Sequence, residues 1–367
     1  MRRKLAIAYA MLCTLLLVAG CVVLFTFAWK VGVEAMGKCV FGLVLGFVLA
    51  PVLHELGHYT FALANNMRCV YLKCFCFRFV LENGKKRFSF ASPFGADETQ
   101  VIPKSGGNMK KRARRYAVGG LVFSGIFLTL LLVAGVLTTV LGETNYFVWG
   151  LVPYFVYLFI LNLPAVEYAN GKTDGLVCKG LHRGYDAERV MISAMEIQGR
   201  LYEGKRFSEI DESLYFDLPQ LCEEEPLYAV ILDLRYRYFL DKDEPIKAGE
   251  CLNRLLGLQA YLPEQEIRKI AMELTYMHAV SGNVSDADAI GQLCKEELKK
   301  DTATAKRVLI AYCKASGKLD SITALKEQAK SALEKEPVKG IAEFERRLIS
   351  KLTDKKTEKG NNTKKNV

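Results

Sequence analysis

The sequence predicts a mainly α-helical chain: polytopic membrane helices with a small β-hairpin insertion, followed by a soluble all-α helical-repeat domain. Three observations carry this expectation. Nearly all long apolar runs lie before residue 164. From about residue 183 to 350 the pattern changes to amphipathic helical periodicity. Between the second and third apolar runs lies a stretch dense in aromatic and β-branched residues, broken by Asn83-Gly84.

Four apolar segments, residues 5–29, 39–64, 118–141 and 146–163, have the composition of bilayer spans, which take about 20 helical residues each. The first follows Met1-Arg2-Arg3-Lys4. It stays apolar too long for a signal peptide and shows no small-residue cleavage site, so a retained anchor is expected. Lys104, Lys110, Lys111, Arg112, Arg114 and Arg115 precede the third segment. Both basic groups belong on the cytoplasmic side, which sends everything after residue 164 there too. Trp29, Tyr146 and Trp149 stand near span ends, where aromatic rings settle.

This topology accounts for the net charge of +10. Nucleic-acid binding is the weaker explanation, because basic and aromatic residues do not interleave as single-strand binders require. The eleven cysteines are scattered and odd in number, so no disulfide framework is expected and a reduced, cytoplasm-facing protein is. Cys74 and Cys76 are separated by one residue, which is not a zinc-knuckle spacing.

In residues 70–80 (Val-Tyr-Leu-Lys-Cys-Phe-Cys-Phe-Arg-Phe-Val) and in Arg87-Phe88-Ser89-Phe90, strand-like patterns flank Asn83-Gly84. An Asn-Gly pair between such runs signals a two-residue hairpin turn, here within residues 66–100. The hairpin is also a candidate to receive an unwound peptide strand.

The second apolar segment contains Pro51-Val52-Leu53-His54-Glu55-Leu56-Gly57-His58. Two histidines four apart on a helix share a face and can grip one ion, with the intervening glutamate able to reach its water. The chain has four histidines, and two fall in this pentapeptide. Ionisable side chains inside an apolar span cost about 2.5–3.5 kcal/mol each, so their presence asks for a function. The bland alternative is that they hydrogen-bond to neighbouring helices. Pro51 stands one turn before His54 and can kink the helix to admit water. For a third ligand, Asp174 is favoured, because Gly175 beside it permits close backbone approach; Glu167 is the rival. His182 and His278 have no ligand-like companions.

These residues, together with Gly119-Gly120 opening the third segment and Asn162-Leu163-Pro164 ahead of Asp174-Gly175, resemble the site-2 protease family of intramembrane zinc metalloproteases. The resemblance covers about residues 39–176. It implies a core of three membrane helices, one zinc ion on His54, His58 and Asp174, and Glu55 as catalytic base. It also implies Asn162 and Ser124 as substrate-positioning residues, and membrane-embedded or membrane-tethered proteins or peptides as substrates. Two features depart from the pattern. Pro164 follows Asn162 by two and Asp174 lies ten further on. Ser124 stands where many relatives have asparagine, and small-residue helix packing with Gly125 explains it equally well.

In the second half, Tyr276-Met-His-Ala-Val-Ser-Gly282 echoes Tyr312-Cys-Lys-Ala-Ser-Gly317, with fainter echoes around Gly204 and Asp243. Helix-turn-helix periods of about 34–40 residues point to a tetratricopeptide-like array. Such an array offers a surface to a cytoplasmic protein or peptide partner; a plain helical bundle is the alternative. The expected organisation is an N-terminal anchor with an external loop (1–38), a metalloprotease core (39–180), a helical domain (181–350) and a disordered, Lys-rich tail (351–367). Two other functions compete: a catalytically silent scaffold presenting the helical domain, and a metal transporter. Retention of Glu55 argues against the first, and confinement of the polar groups to one site argues against the second.

Overall fold

The computed structural model describes residues 2–82, 85–92, 97–168 and 171–354. It divides into two compact units: Met1–Ile102 with Asn108–Glu188, and Pro103–Gly107 with Arg189–Val367.

The first unit holds the apolar helices. Three of them, α1 (Arg2–Val31), α2 (Val33–Ala64) and α3 (Met109–Val140), are long and apolar enough to cross a membrane. The fourth expected span is shorter: α4 (Tyr146–Asn162) has 17 residues, about 26 Å of helix against a core of about 30 Å. The third span also starts earlier than its apolar run. Lys110 to Arg115 belong to α3, because Lys and Arg are good helix formers and hydropathy marks bilayer-compatible surface rather than helix ends.

Helix α2 is central, and glycine lets its neighbours touch its backbone. A Cβ on Gly42 would stand 2.3 Å from the Phe147 carbonyl oxygen of α4, and one on Gly57 would stand 2.4 Å from the Gly119 oxygen of α3. Between apolar helices in a membrane, such small-residue contacts are what dispersion packing rewards. On the outer side, Tyr9 of α1 donates to the Ile160 carbonyl of α4 at 2.8 Å.

The insertion between α2 and α3 is larger than a hairpin. Strands β1 (Met67–Cys74), β2 (Phe77–Glu82), β3 (Lys85–Phe90) and β4 (Glu98–Pro103) form one sheet in the order β3-β2-β1-β4. The β2–β3 pair is the expected antiparallel hairpin, with Phe77 opposite Phe90 and Phe79 opposite Phe88; its Asn83-Gly84 turn lies outside the described residues. Strand alternation puts those four rings on one face. Of these, Phe79, Phe88 and Phe90 are exposed. The unexpected strand is β4, which returns beside β1 at the far edge. After α4, the short pair β5 (Glu167–Tyr168) and β6 (Gly171–Lys172) leads into α5 (Asp174–Arg183).

The second unit is helical: α6 (Asp186–Glu203), α7 (Ser213–Phe216), α8 (Pro226–Asp241), α9 (Pro245–Gly257), α10 (Glu264–Val280), α11 (Val284–Leu293), α12 (Lys295–Leu298), α13 (Ala303–Ala315), α14 (Asp320–Lys335) and α15 (Lys339–Thr353). Helix α15 includes residues 351–353, which the sequence assigned to the tail; the rest of that tail, from residue 355, lies outside the described residues. The echoed stretches share one backbone device. Gly204, Asp243, Gly282 and Gly317 all have positive φ just past the end of a helix, the left-handed turn that terminates helices.

The core of this unit contains an ion cluster. Arg307 on α13 is fully buried and contacts Glu273 of α10 at 2.8 Å and Glu345 of α15 at 2.7 Å. Its guanidinium lies 4.1 Å from the Tyr276 ring centroid, and Tyr236 of α8 donates to Glu273 at 2.7 Å. Burial pushes the Glu273 carboxyl up, but Arg307 and Arg237 outweigh it and hold the group below the usual carboxylate range.

Two stability measurements check this packing. Gly42→Val, which drives a side chain into the α4 backbone, is expected to lower the Tm of the purified protein markedly; overpacking costs about 1–3 kcal/mol or more. Gly37→Ala enters open space and is expected to leave Tm unchanged or slightly raised. In the second unit, Arg307→Met strands two buried carboxylates, at a cost of about 3–5 kcal/mol. Circular-dichroism melting is expected to show that loss.

Candidate metal centre

Three elements of the first unit deliver the donor atoms. Helix α2 supplies His54 and His58, 5% and 7% exposed, one turn apart on the face turned toward α3. Their ring centroids are 5.0 Å apart. Helix α5 supplies Asp174 at its first position, with Thr173 as N-cap accepting from the Leu176 amide. The approach of α5 requires glycine after the aspartate, since a Cβ on Gly175 would stand 2.0 Å from the Leu163 oxygen. Asp174 Oδ2 lies 3.0 Å from His54 Nε2 and 3.3 Å from His58 Nε2.

The hydrogen bonds on the other side of each ring decide what these short distances mean. His58 Nδ1 is 3.0 Å from the Tyr116 carbonyl oxygen. A carbonyl only accepts, so Nδ1 carries a proton and Nε2 is the atom turned to Asp174. His54 Nδ1 is 2.9 Å from Ser124 Oγ, which leaves His54 Nε2 turned inward as well. Asp174 Oδ2 is buried and accepts no hydrogen bond despite both nitrogens being close. Two ring nitrogens and one carboxylate oxygen therefore converge on a common point, an arrangement that a proton on Nε2 or a bound cation would satisfy.

The donor set fits zinc. His54, His58 and Asp174 each offer one atom, all within 4.8 Å of one another. Ligands about 2.0–2.2 Å from a tetrahedral ion sit about 3.3 Å apart, close to the nitrogen–oxygen separations above. Space is reserved as well. A Cβ on Gly120 would stand 2.4 Å from His58 Nε2 and 2.7 Å from His54 Nε2, filling the side from which α3 faces the cluster.

Glu55 is 5% exposed. Its Oε2 accepts from Thr99 Oγ on β4 at 2.5 Å. Tyr116 Oη in turn donates to the Thr99 carbonyl. Sequence reasoning missed Thr99 and Tyr116; neither belongs to a motif, and their only signal is long-range contact. The other expected residues part company. Ser124 is buried and hydrogen-bonds to His54, so its place is to orient that ring rather than to meet substrate. Asn162 donates its amide to Leu158 of its own helix at 3.2 Å, and among the described residues no hydrogen bond joins it to the cluster. Glu167, the rival ligand, is exposed in β5 and pairs in register with Lys172. Cys74 and Cys76 are free thiols outside the cluster.

Comparison with family models, curated proteins and solved structures returned no match.

The geometry makes zinc content the direct readout. The wild-type chain is expected to hold about one zinc per chain, and Asp174→Ala to hold much less after dialysis, measured by atomic emission. Undiminished zinc in that variant would move the third ligand elsewhere.

Proposed function

We propose that the chain is an intramembrane zinc endopeptidase of the site-2 protease type, which hydrolyses peptide bonds of membrane-embedded or membrane-tethered proteins or peptides. The observation that carries the reading is the convergence of two imidazole nitrogens and an unpartnered buried carboxylate oxygen beside a glutamate, with the rings and the glutamate on a helix apolar enough to span a bilayer. His54 is residue 22 of the 32 in α2, so the cluster lies roughly 15 Å from the end that leads into the sheet. We place that end, both termini and the second unit in the cytoplasm of a bacterial cell, on the basis of the lysine and arginine bias before α1 and α3.

His54, His58 and Asp174 would hold zinc through three protein atoms, leaving a fourth position open as hydrolytic sites require. When bound there, zinc supplies a Lewis acid and a water of pKa about 7. Glu55 would accept a proton from the attacking water and pass it to the leaving amine, the ordinary double duty of one carboxylate in peptide hydrolysis. Ser124 and the Tyr116 carbonyl anchor the two rings in the orientation that turns Nε2 inward. The missing side chain at Gly120 keeps the approach from α3 open. In the second unit, we read the recurring helix pairs as a tetratricopeptide-like surface for a cytoplasmic partner; the repeated positive-φ turns at Asp243, Gly282 and Gly317 support it.

The test uses the full chain in detergent with fluorescently labelled unfolded casein, which has no helix to unwind. The zinc-loaded wild type is expected to cleave it. Glu55→Gln is expected to bind zinc normally and lose at least about a hundredfold in rate, the low end for general-base removal. Wild-type rates in Glu55→Gln would refute the mechanism. A zinc-loaded wild type inert toward casein and toward transmembrane peptides in liposomes would leave the scaffold reading standing.

A further inference from the structure

The base of the proposed hydrolase is not held by its own helix. Glu55 and His58 share α2, yet three consecutive hydrogen bonds connect them through two other elements. His58 Nδ1 donates to the Tyr116 carbonyl on α3 at 3.0 Å. Tyr116 Oη donates to the Thr99 carbonyl on β4. Thr99 Oγ donates to Glu55 Oε2 at 2.5 Å. The path leaves α2 from a ligand and returns to α2 at the base. Thr99 is 8% exposed and Glu55 5%, so water does not compete for these bonds.

The consequence for Glu55 follows from carboxylate geometry. With Oε2 engaged by Thr99, the carboxylate cannot spin freely about its last torsion, and Oε1 is the oxygen left for the water at the cluster. Strand β4 is itself fixed on the other side of Thr99. Asp97, just before β4, accepts from the Phe75 amide at 2.8 Å and pairs with Lys73 of β1 at 3.2 Å. The chain is therefore held two residues ahead of the one that grips the base.

We infer that Thr99 is the positioning residue for Glu55, and that the inserted sheet belongs to the catalytic apparatus because β4 carries it. The inference rests on the hydrolase reading above. Thr99 touches neither the cluster nor a scissile bond; it acts through the orientation of Glu55. Anything that shifts β4 relative to α3 thereby sets how well the base is aimed.

Thr99→Val keeps the shape and removes the hydroxyl; Thr99→Ser keeps the hydroxyl. With labelled casein as probe, Thr99→Val is expected to lower kcat by about ten- to a hundredfold, as misaimed groups do, with KM and zinc content unchanged. Thr99→Ser is expected to recover most of the rate. Tyr116→Phe is expected to fall between. An unchanged kcat in Thr99→Val overturns the inference, and so does equal impairment of the Ser variant, which would mark Thr99 as packing alone. A second readout needs no activity. In zinc-free protein, Thr99→Val is expected to lower Tm by about 2 °C or more in the wild-type background and by less in a Glu55→Ala background. Additive Tm losses in that cycle overturn the bond even if the wild type proves inert, whereas coupling with an inert wild type sustains the bond and refutes only the hydrolase reading.

Discussion

Two imidazole nitrogens and a carboxylate oxygen held about 3 Å apart need a proton or a cation between them. Much of the first unit follows from that constraint. The His58 tautomer is set by the Tyr116 carbonyl, which only accepts. The Asp174 oxygen is buried beside both rings without a hydrogen bond from either. The fold keeps the remaining side of the cluster clear by placing glycine at position 120.

The packing of α2 explains how such a cluster is tolerated inside apolar helices. Backbone-to-backbone contact at Gly57 and Gly119 brings α3 near enough for Tyr116 and Ser124 to reach the two rings. The same closeness at Gly42 and Gly150 seats α4, whose end leads the chain toward α5 and Asp174. The outward nitrogens of both rings meet partners on an adjacent helix rather than lipid, as the hydrocarbon interior demands. The second unit solves a similar problem differently, enclosing Arg307 between two glutamates and a tyrosine ring.

What the sequence disclosed was what local periodicity encodes. The four-residue spacing of His54 and His58 states a shared helix face, and the Asp-Gly pair at 174–175 states a close approach at a helix start; the structure brings all three residues together. The β2–β3 hairpin was legible in alternating aromatics. Strand β4 was not, because Glu-Thr-Gln-Val-Ile-Pro lacks that alternation and its partner β1 lies some thirty residues back. Thr99 was invisible for the same reason: its bond to Glu55 spans 44 positions. Asn162 was placed by analogy of pattern, and the structure turns its amide onto its own helix. Hydropathy marked the apolar stretches but not their helix ends, so α3 begins earlier than its apolar run and α4 has 17 residues.

Chain order gives the Asp174 contact a further meaning. The histidines emerge early in synthesis, whereas their carboxylate partner follows α3, the connecting turn and all of α4. A nascent chain still on the ribosome at residue 160 has both rings and no anion to join them. The donor set is therefore complete only once the last apolar helix has left the ribosome. A half-made polypeptide therefore carries the two rings without the third donor.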